Sequence, residues 1–374
     1  MAKPLPLAAA ILDELTGERL MPLLAPAGGV AVILLAGLLA LRITGSSGVP
    51  SVLAMIALGW NPVFVTAVLR GNPSVALLGL LFASGILGRR WQLPIAVALP
   101  LVRPEGLVFS IWLLVRGKRF ALLPLLLLPV AVWPLLNRLT AGYWLWSMEA
   151  VRYVVAAMAY PTPGIVSFWP WAVLRGLATL GPVLAAAMLL EGRKRWAWGP
   201  AVLANMLFLW LSLAGGSLVL PRYLDHVFLL MVPSAAAAAA TLAGPGRKAV
   251  LAVSALAVAC ILAGWPWAAR DLAWHARLDL ELRMQAREGW SGRLAVNELL
   301  VPAIALEAGT EDPSGRFLAL DRAAWEGIGA DSLASLGVDR ILVVDHPPYL
   351  PYHTRSYLEG LGGIRIDTLM TEER

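Results

Sequence analysis

Long apolar runs dominate the first 270 residues, and short breaks containing basic residues, proline or glycine separate them. A helix rises about 1.5 Å per residue, so about 20 apolar residues cross a hydrocarbon core of about 30 Å. Runs near this length occur at residues 22–42, 50–69, 72–88, 119–137, 167–190, 196–214, 218–242 and 248–267. Residues 5–20 are weakly amphipathic and predict a short helix near the membrane surface. The pattern therefore predicts a polytopic α-helical membrane protein with about eight spans.

Two shorter apolar runs, at residues 92–102 and 107–115, flank a polar break at residues 103–106 (RPEG). Each run would reach about 15 Å as a helix, which is half of the hydrocarbon core. Basic residues lie at both ends of the pair, and such flanks favour the cytoplasmic side. We therefore predict a re-entrant helical hairpin that carries Arg103 and Glu105 to mid-depth. The alternative is a single kinked span in which these two residues pair only with each other.

Charged side chains at membrane depth are candidate functional residues, because each costs several kcal/mol unless it is paired or faces water. Arg103 and Glu105 meet this description. Arg175 lies inside an apolar run, where it would either snorkel outward or face a cavity. Glu149 lies in a long loop rich in Trp and Tyr, and Asp225 lies near the outer start of a late predicted span. These residues are the charges that a site within or above the membrane would use.

The pattern changes at residue 271, where a small α/β domain is predicted. We expect a charged helix at residues 271–289 and strands at 316–321 (RFLALD) and 340–345 (RILVVD). A helix at 323–336 would connect these two strands, and a further strand is expected at 364–370. A helical crossover between strands of one sheet makes the strands parallel. We therefore divide the chain into a membrane domain, residues 1–270, and an α/β domain, residues 271–374.

Charge is distributed unevenly between these two parts. Residues 1–270 hold 20 Lys and Arg and 7 Asp and Glu, a balance of +13, while residues 271–374 hold 10 and 17, a balance of −7. The basic residues of the first part flank apolar runs, which is typical of membrane anchors and argues against a nucleic-acid partner. The hairpin arrangement places eleven Lys and Arg in inner loops and seven outside. This bias predicts that residues 271–374 are extracytoplasmic. We expect the membrane to be the plasma (cytoplasmic) membrane of a prokaryote.

Metal and disulfide chemistry is not indicated by the sequence. Cys260 is the only cysteine, so the chain has neither a disulfide framework nor a cysteine-based metal site. His346 and His353 flank a proline-rich turn, but a metal site needs more ligands at a tighter spacing. We therefore predict no metal site from these residue types.

Four features together resemble a known family. They are Gly71-Asn72-Pro73-Ser74 at the start of a short span, the break Leu101-Val102-Arg103-Pro104-Glu105-Gly106, Arg222-Tyr223-Leu224 at the outer start of a late span, and the extracytoplasmic α/β tail. In this combination the chain resembles the polyprenyl-phosphate-sugar-dependent glycosyltransferases of the GT-C superfamily. The resemblance implies a GT-C-like fold and transfer of a sugar from a polyprenyl-phosphate donor at the outer membrane face.

The resemblance also implies roles for individual residues. Arg103 and Arg222 would bind the lipid phosphate, assisted by Arg175 and Tyr223. Glu105 would orient Arg103. Either Glu149 or Asp225 would contact the acceptor or a divalent cation. A divalent cation is the possible cofactor.

The acceptor-activating carboxylate of this family lies in the first external loop, just after the first span. The present chain begins where the helix of that loop would run. We therefore expect either that Asp13 and Glu14 serve, or that a partner protein supplies the missing first helix and loop. The alternative function is a non-catalytic membrane subunit whose GT-C-derived scaffold docks a partner protein or lipid. A secondary transporter is disfavoured, since the Arg-Pro-Glu-Gly break occurs only once.

Overall fold

The structure is a computed structural model. It describes residues 21–45, 48–141, 166–170, 172, 198–214, 222–241, 246–288, 293–297, 317–345, 352–362 and 364–371. In these ranges the chain forms two compact units, and the division between them falls after Ala268.

Helices build the first unit. They are α1 (Met21–Thr44), α2 (Val49–Gly59), α3 (Pro62–Leu69), α4 (Ser74–Leu87), α5 (Gln92–Val102), α6 (Gly106–Arg116), α7 (Leu127–Ala141), α8 (Gly199–Ala214), α9 (Arg222–Leu229), α10 (Val232–Thr241) and α11 (Gly246–Glu288), the last of which contributes to both units. Short 3₁₀ turns at Arg89–Trp91 and Phe120–Leu126 precede α5 and α7.

Two helical segments within the described ranges are long and apolar enough to cross a membrane. One is Leu23–Thr44 in α1, and the other is Tyr223–Ala240, which covers most of α9 and α10. Counting α2 and α3 together as one span gives a third. The other predicted spans correspond to shorter apolar helices, to the first part of α11 or to residues outside the described ranges. The first unit is therefore helical and membrane-associated, while the count of about eight spans stays a prediction.

The span predicted at residues 50–69 consists of two helices, since the chain bends by 63° between α2 and α3, and its crossing as one span stays a prediction. Pro62 begins α3, and the residue before a proline is disfavoured in the helical region. Asn61 is accordingly extended (φ −75°, ψ 117°), and its side-chain oxygen accepts hydrogen bonds from the Val63 and Phe64 amides at 3.0 and 3.3 Å. Asn61 thus ends one helix and caps the next.

The two apolar runs around residues 103–105 form α5 and α6, which pack against each other as an antiparallel hairpin. Near the turn, a Cβ added to Gly106 would lie 2.5 Å from the Leu99 carbonyl carbon, so the arms touch through their backbones. At the open end, Arg89 Nη2 donates to the Gly117 carbonyl oxygen at 3.2 Å. Gly106 therefore allows close packing of the two arms, because only glycine fits here.

Two prolines in this hairpin leave carbonyl oxygens without their helical donors, and side chains replace those donors. Pro100 has no N–H for the Ala96 oxygen, which instead accepts from Ser110 Oγ at 2.6 Å across the hairpin. Pro104 keeps Arg103 out of the helix, so the Pro100 oxygen in the last turn of α5 has no helical donor and accepts from Trp133 Nε1 at 2.7 Å. In an apolar surrounding without water, such internal replacements are required.

Trp133→Phe is expected to lower the free energy of unfolding by about 1–3 kcal/mol, since the Pro100 oxygen would lose its donor while the apolar ring is kept. Thermal unfolding of the purified protein in detergent measures the effect. Trp112→Phe is the matched control, because Trp112 Nε1 is buried with no hydrogen-bond partner among the described residues. If both variants unfold at the same temperature, the Trp133 hydrogen bond contributes nothing to stability.

The second unit contains a four-stranded sheet in the order β2-β1-β3-β4, and each neighbouring pair is parallel. Its remaining elements are β1 (Arg293–Val296), β2 (Phe317–Ala319), α12 (Leu320–Glu326), α13 (Ala330–Ser335), β3 (Val338–Asp345), α14 (Tyr352–Gly360) and β4 (Arg365–Thr371). The predicted parallel sheet is thus confirmed. The strand predicted at residues 316–321 is too long, because α12 already begins at Leu320, and the helix predicted at 323–336 is divided at Gly327 (φ +68°).

Alternate residues of the central strands pack on opposite faces of this sheet. Leu294, Val296 and Leu342 lie in one cluster with Leu278 of α11, while Ala295 and the other alternate residues pack with α12 and α13. The charged helix predicted at residues 271–289 is therefore confirmed, and its apolar side covers the sheet.

Candidate functional site

The hairpin turn holds a buried arginine. Helix α5 ends at Val102, and Arg103 is extended (φ −152°, ψ 141°) because Pro104 follows it. Its side chain is held inside the helical unit, where only 8% of Arg103 and 6% of Glu105 are exposed. The pair is therefore buried within the protein, and its depth in the membrane stays a prediction.

Arg103 and Glu105 form an ion pair through two roughly parallel contacts. Arg103 Nη2 donates to Glu105 Oε1 at 2.7 Å, and Nε lies 3.4 Å from Oε2. Both charges are therefore compensated locally, as a buried pair requires. The carboxylate occupies the edge of the guanidinium that Nε and Nη2 share.

The first turn of α4 supplies a second partner for Arg103. Asn72 Oδ1 accepts from the Ser74 amide at 3.0 Å, which fixes the start of that helix. Arg103 Nη1 in turn donates to Ser74 Oγ. The Gly71-Asn72-Pro73-Ser74 segment thereby contacts the Arg-Pro-Glu-Gly break.

Tyr223, in the first turn of α9, is a third partner of Arg103. The Arg103 guanidinium carbon lies 4.9 Å from the centroid of its ring, a cation–π contact. Segments near residues 74, 103 and 223 therefore meet at one side chain. Each of these segments belongs to a motif that carries the resemblance, but their contact with one another was not predicted.

The donor capacity of Arg103 is only partly used. A guanidinium has five N–H groups, and one each on Nε, Nη1 and Nη2 is bonded to Glu105 or Ser74. The two that remain have no acceptor among the described residues. One of them belongs to Nη1 and the other to Nη2, and an N–H group of a guanidinium is a strong donor to a phosphate or carboxylate.

Two further polar residues lie against this turn and were missed as site residues. Asn205 of α8 is fully buried, and its Nδ2 donates to the Glu105 main-chain oxygen at 3.3 Å. His226 of α9 is also fully buried, and its ring meets Phe109 edge-on at 6.2 Å between centroids. A usable signal existed for Asn205, which is the one polar side chain between residues 199 and 211.

Most of the other predicted site residues lie outside the described part of the structure. Asp225 lies in α9 and is half-buried. Arg222 begins α9, while its side chain lies outside the described part of the structure, as do Asp13, Glu14, Glu149 and Arg175 altogether. Their roles stay predictions.

The described geometry offers a buried cation with free donors, two neutral polar groups and no arranged metal ligands. Within the described residues, no three His, Cys, Asp or Glu side chains are grouped so that they could hold a metal ion. Such a cluster can bind an anion and a polar neutral group side by side. Comparison with protein-family models, with curated proteins and with solved structures gave no match in any of the three.

Proposed function

We propose that the chain is a GT-C-like membrane glycosyltransferase, or part of one, that transfers a sugar from a polyprenyl-phosphate-linked donor at the outer face of a prokaryotic plasma membrane. The observation that carries this proposal is the convergence of Ser74, Glu105 and Tyr223 on the Arg103 guanidinium. These segments are distant in sequence, so the three resembling motifs meet in one place in the fold. A set of unrelated sequence matches would not require that.

The level of the cluster fits a lipid-linked donor. The predicted topology puts the starts of α4 and α9 on the outer side, and Arg103 contacts the first turn of both. Helix α4 has 14 residues, which is about 21 Å and shorter than a hydrocarbon core of about 30 Å. The hairpin would thus re-enter from the inner side, and its turn would form the floor of a depression open to the outside.

Phosphate recognition would use the two N–H groups of Arg103 that Glu105 and Ser74 leave unused. Glu105 holds the edge shared by Nε and Nη2, so the guanidinium is oriented with Nη1 and Nη2 toward a ligand. Arg222 begins α9, one residue before Tyr223, and is therefore proposed as a second phosphate-binding residue. Arg175 would assist in binding the phosphate. Polyprenyl phosphate would bind as an anion shared between these cations.

The reaction requires few groups. An acceptor hydroxyl oxygen bonds to the anomeric carbon, the bond from that carbon to the phosphate oxygen breaks, and the lipid phosphate leaves with the electron pair. The hydroxyl proton passes to a carboxylate acting as base. The candidates for this base in the present chain are Asp13, Glu14, Glu149 and Asp225. The base could also come from a partner protein, and a divalent cation could assist the reaction.

One observation favours the second candidate function, a non-catalytic membrane subunit that docks a partner protein or lipid. Glu105 already neutralises Arg103, and a neutral buried pair can serve as a structural joint without binding any ligand. The transferase requires an arginine-dependent affinity for the lipid phosphate, which a subunit that docks a protein does not, and a subunit that docks the lipid would differ by transferring no sugar.

Arg222→Ala is expected to weaken the binding of undecaprenyl phosphate more than tenfold, or about 1.4 kcal/mol and above. Arg222→Lys should recover part of this affinity, since an ammonium replaces a two-pronged guanidinium. The measurement is equilibrium binding of the lipid to the full chain in nanodiscs. Arg70→Ala, which removes an equal charge from an exposed position, is the matched control.

Affinity that is the same in wild type, Arg222→Ala and an Arg103→Lys variant would overturn the transferase proposal and favour the docking subunit. An equal loss in Arg70→Ala would reduce the effect to general electrostatic attraction.

A further inference from the structure

We infer that His226 and Asn205 form a subsite for a hydroxyl group, held beside the phosphate-binding N–H groups of Arg103. The inference rests on the proposed function, in which this hydroxyl belongs to the sugar of the lipid-linked donor. It adds to that function the part of the substrate that these two uncharged side chains recognise.

Unused hydrogen-bonding capacity points to a ligand. Both ring nitrogens of His226 and the side-chain oxygen of Asn205 are buried and have no hydrogen-bond partner among the described residues. Buried polar groups in folded proteins are nearly always paired, and exceptions call for an absent water, ion or ligand. Three such atoms on two neighbouring helices are a concentrated exception.

Both residues are held against the same turn. The Nδ2 group of Asn205 is fixed by the Glu105 main-chain oxygen, which leaves its Oδ1 as the unused end. His226 lies three residues after Tyr223 and therefore on the same side of α9. Its ring meets that of Phe109, which lies four residues after Glu105 on α6, edge-on at 6.2 Å between centroids.

The chemistry of these atoms selects a neutral hydroxyl. An amide oxygen only accepts hydrogen bonds, so Asn205 Oδ1 cannot bind an ionised phosphate, which has no proton to donate. A neutral imidazole has one donor and one acceptor nitrogen, and a hydroxyl can donate and accept at once. Arg103 therefore suits the phosphate, while His226 and Asn205 suit a hydroxyl of the attached sugar.

The test compares undecaprenyl phosphate with its glucosyl and mannosyl esters, using the full chain in nanodiscs. Wild type is expected to bind at least one ester more tightly than the bare lipid phosphate. His226→Phe, which keeps a ring but removes both nitrogens, should weaken that ester about tenfold and change the bare lipid less than twofold. Asn205→Leu should show the same selectivity, and His275→Phe, at a histidine of α11 outside the cluster, should show none.

Stability separates this role from a structural one. Because His226→Phe replaces unpaired polar atoms by apolar ones, the ligand-free variant should unfold at the same or a higher temperature than wild type. A lower unfolding temperature without selective loss of the ester would make His226 structural and overturn the inference. So would unchanged ester affinity, which would mean that only water meets these atoms.

The proposed function fails differently. If wild type binds neither the bare lipid nor its esters, the transferase proposal falls together with the subsite. If the bare lipid binds in an Arg222-dependent manner but His226→Phe weakens all the lipids equally, only the subsite is wrong. Free glucose and mannose, added as competitors, would show whether the subsite binds a sugar without its lipid.

Discussion

Glu105→Leu is expected to lower the free energy of unfolding by about 3–5 kcal/mol, which is the cost of leaving a buried charge without its partner. The unpaired residue would be Arg103, which is 8% exposed and would keep only Ser74 and Tyr223. Arg103→Met should cost a similar amount by leaving Glu105 unpaired. Thermal unfolding in detergent and protein yield from membranes measure both effects.

The double variant, Arg103→Met with Glu105→Leu, is the control for this prediction. Replacing both members of a buried pair by apolar residues of similar volume is often neutral, so the double variant should recover most of the lost stability. It should nevertheless bind no undecaprenyl phosphate. If the double variant is no more stable than the single ones, volume rather than charge determines the losses.

Gly106→Ala is expected to destabilise the protein by about 3 kcal/mol, the upper part of the usual range for overpacking. The added methyl would meet the backbone of Leu99, which cannot move aside as a flexible side chain would. The arms of the hairpin would have to separate, and Arg103 would shift relative to Ser74. Thermal unfolding should therefore drop together with lipid affinity.

Gly28→Ala is the matched control, because a Cβ at Gly28 in α1 meets nothing within 4 Å. That variant should be stabilised by up to about 1 kcal/mol, since alanine is the better helix former. A Gly106→Ala protein as stable as Gly28→Ala would contradict the close backbone contact between α5 and α6.

The hairpin and its ion pair were predictable because their causes are local. Two apolar runs of similar length around Pro104 indicate paired short helices, and residues two apart can pair across an extended turn. The contacts from Ser74 and Tyr223 depend on how distant helices pack, which no spacing in the sequence records. His226 was visible only as one member of a polar stretch, and its lack of partners emerges from the fold.

Other failures have identifiable physical reasons. The bend before Pro62 has a sequence signal in the Asn-Pro pair, whereas the apolar length of residues 50–69 gives no sign of it. Strand β1 was missed because its four residues, 293–296, are too few to show alternation. The place of β1 between β2 and β3 could therefore not be predicted, because a strand without a sequence signal cannot be put in an order.

The spacing of the buried pair also bears on how the chain is made. Ribosomal synthesis proceeds from the N-terminus, so Ser74 precedes Arg103, while Asn205 and Tyr223 emerge about a hundred residues later. Glu105 follows Arg103 at once, so the guanidinium can be neutralised while the hairpin enters the bilayer, before α8 and α9 exist. The charge of Arg103 is thus compensated within the turn and does not depend on a helix that is synthesised later. The other contacts of Arg103 can form after α8 and α9 have been made.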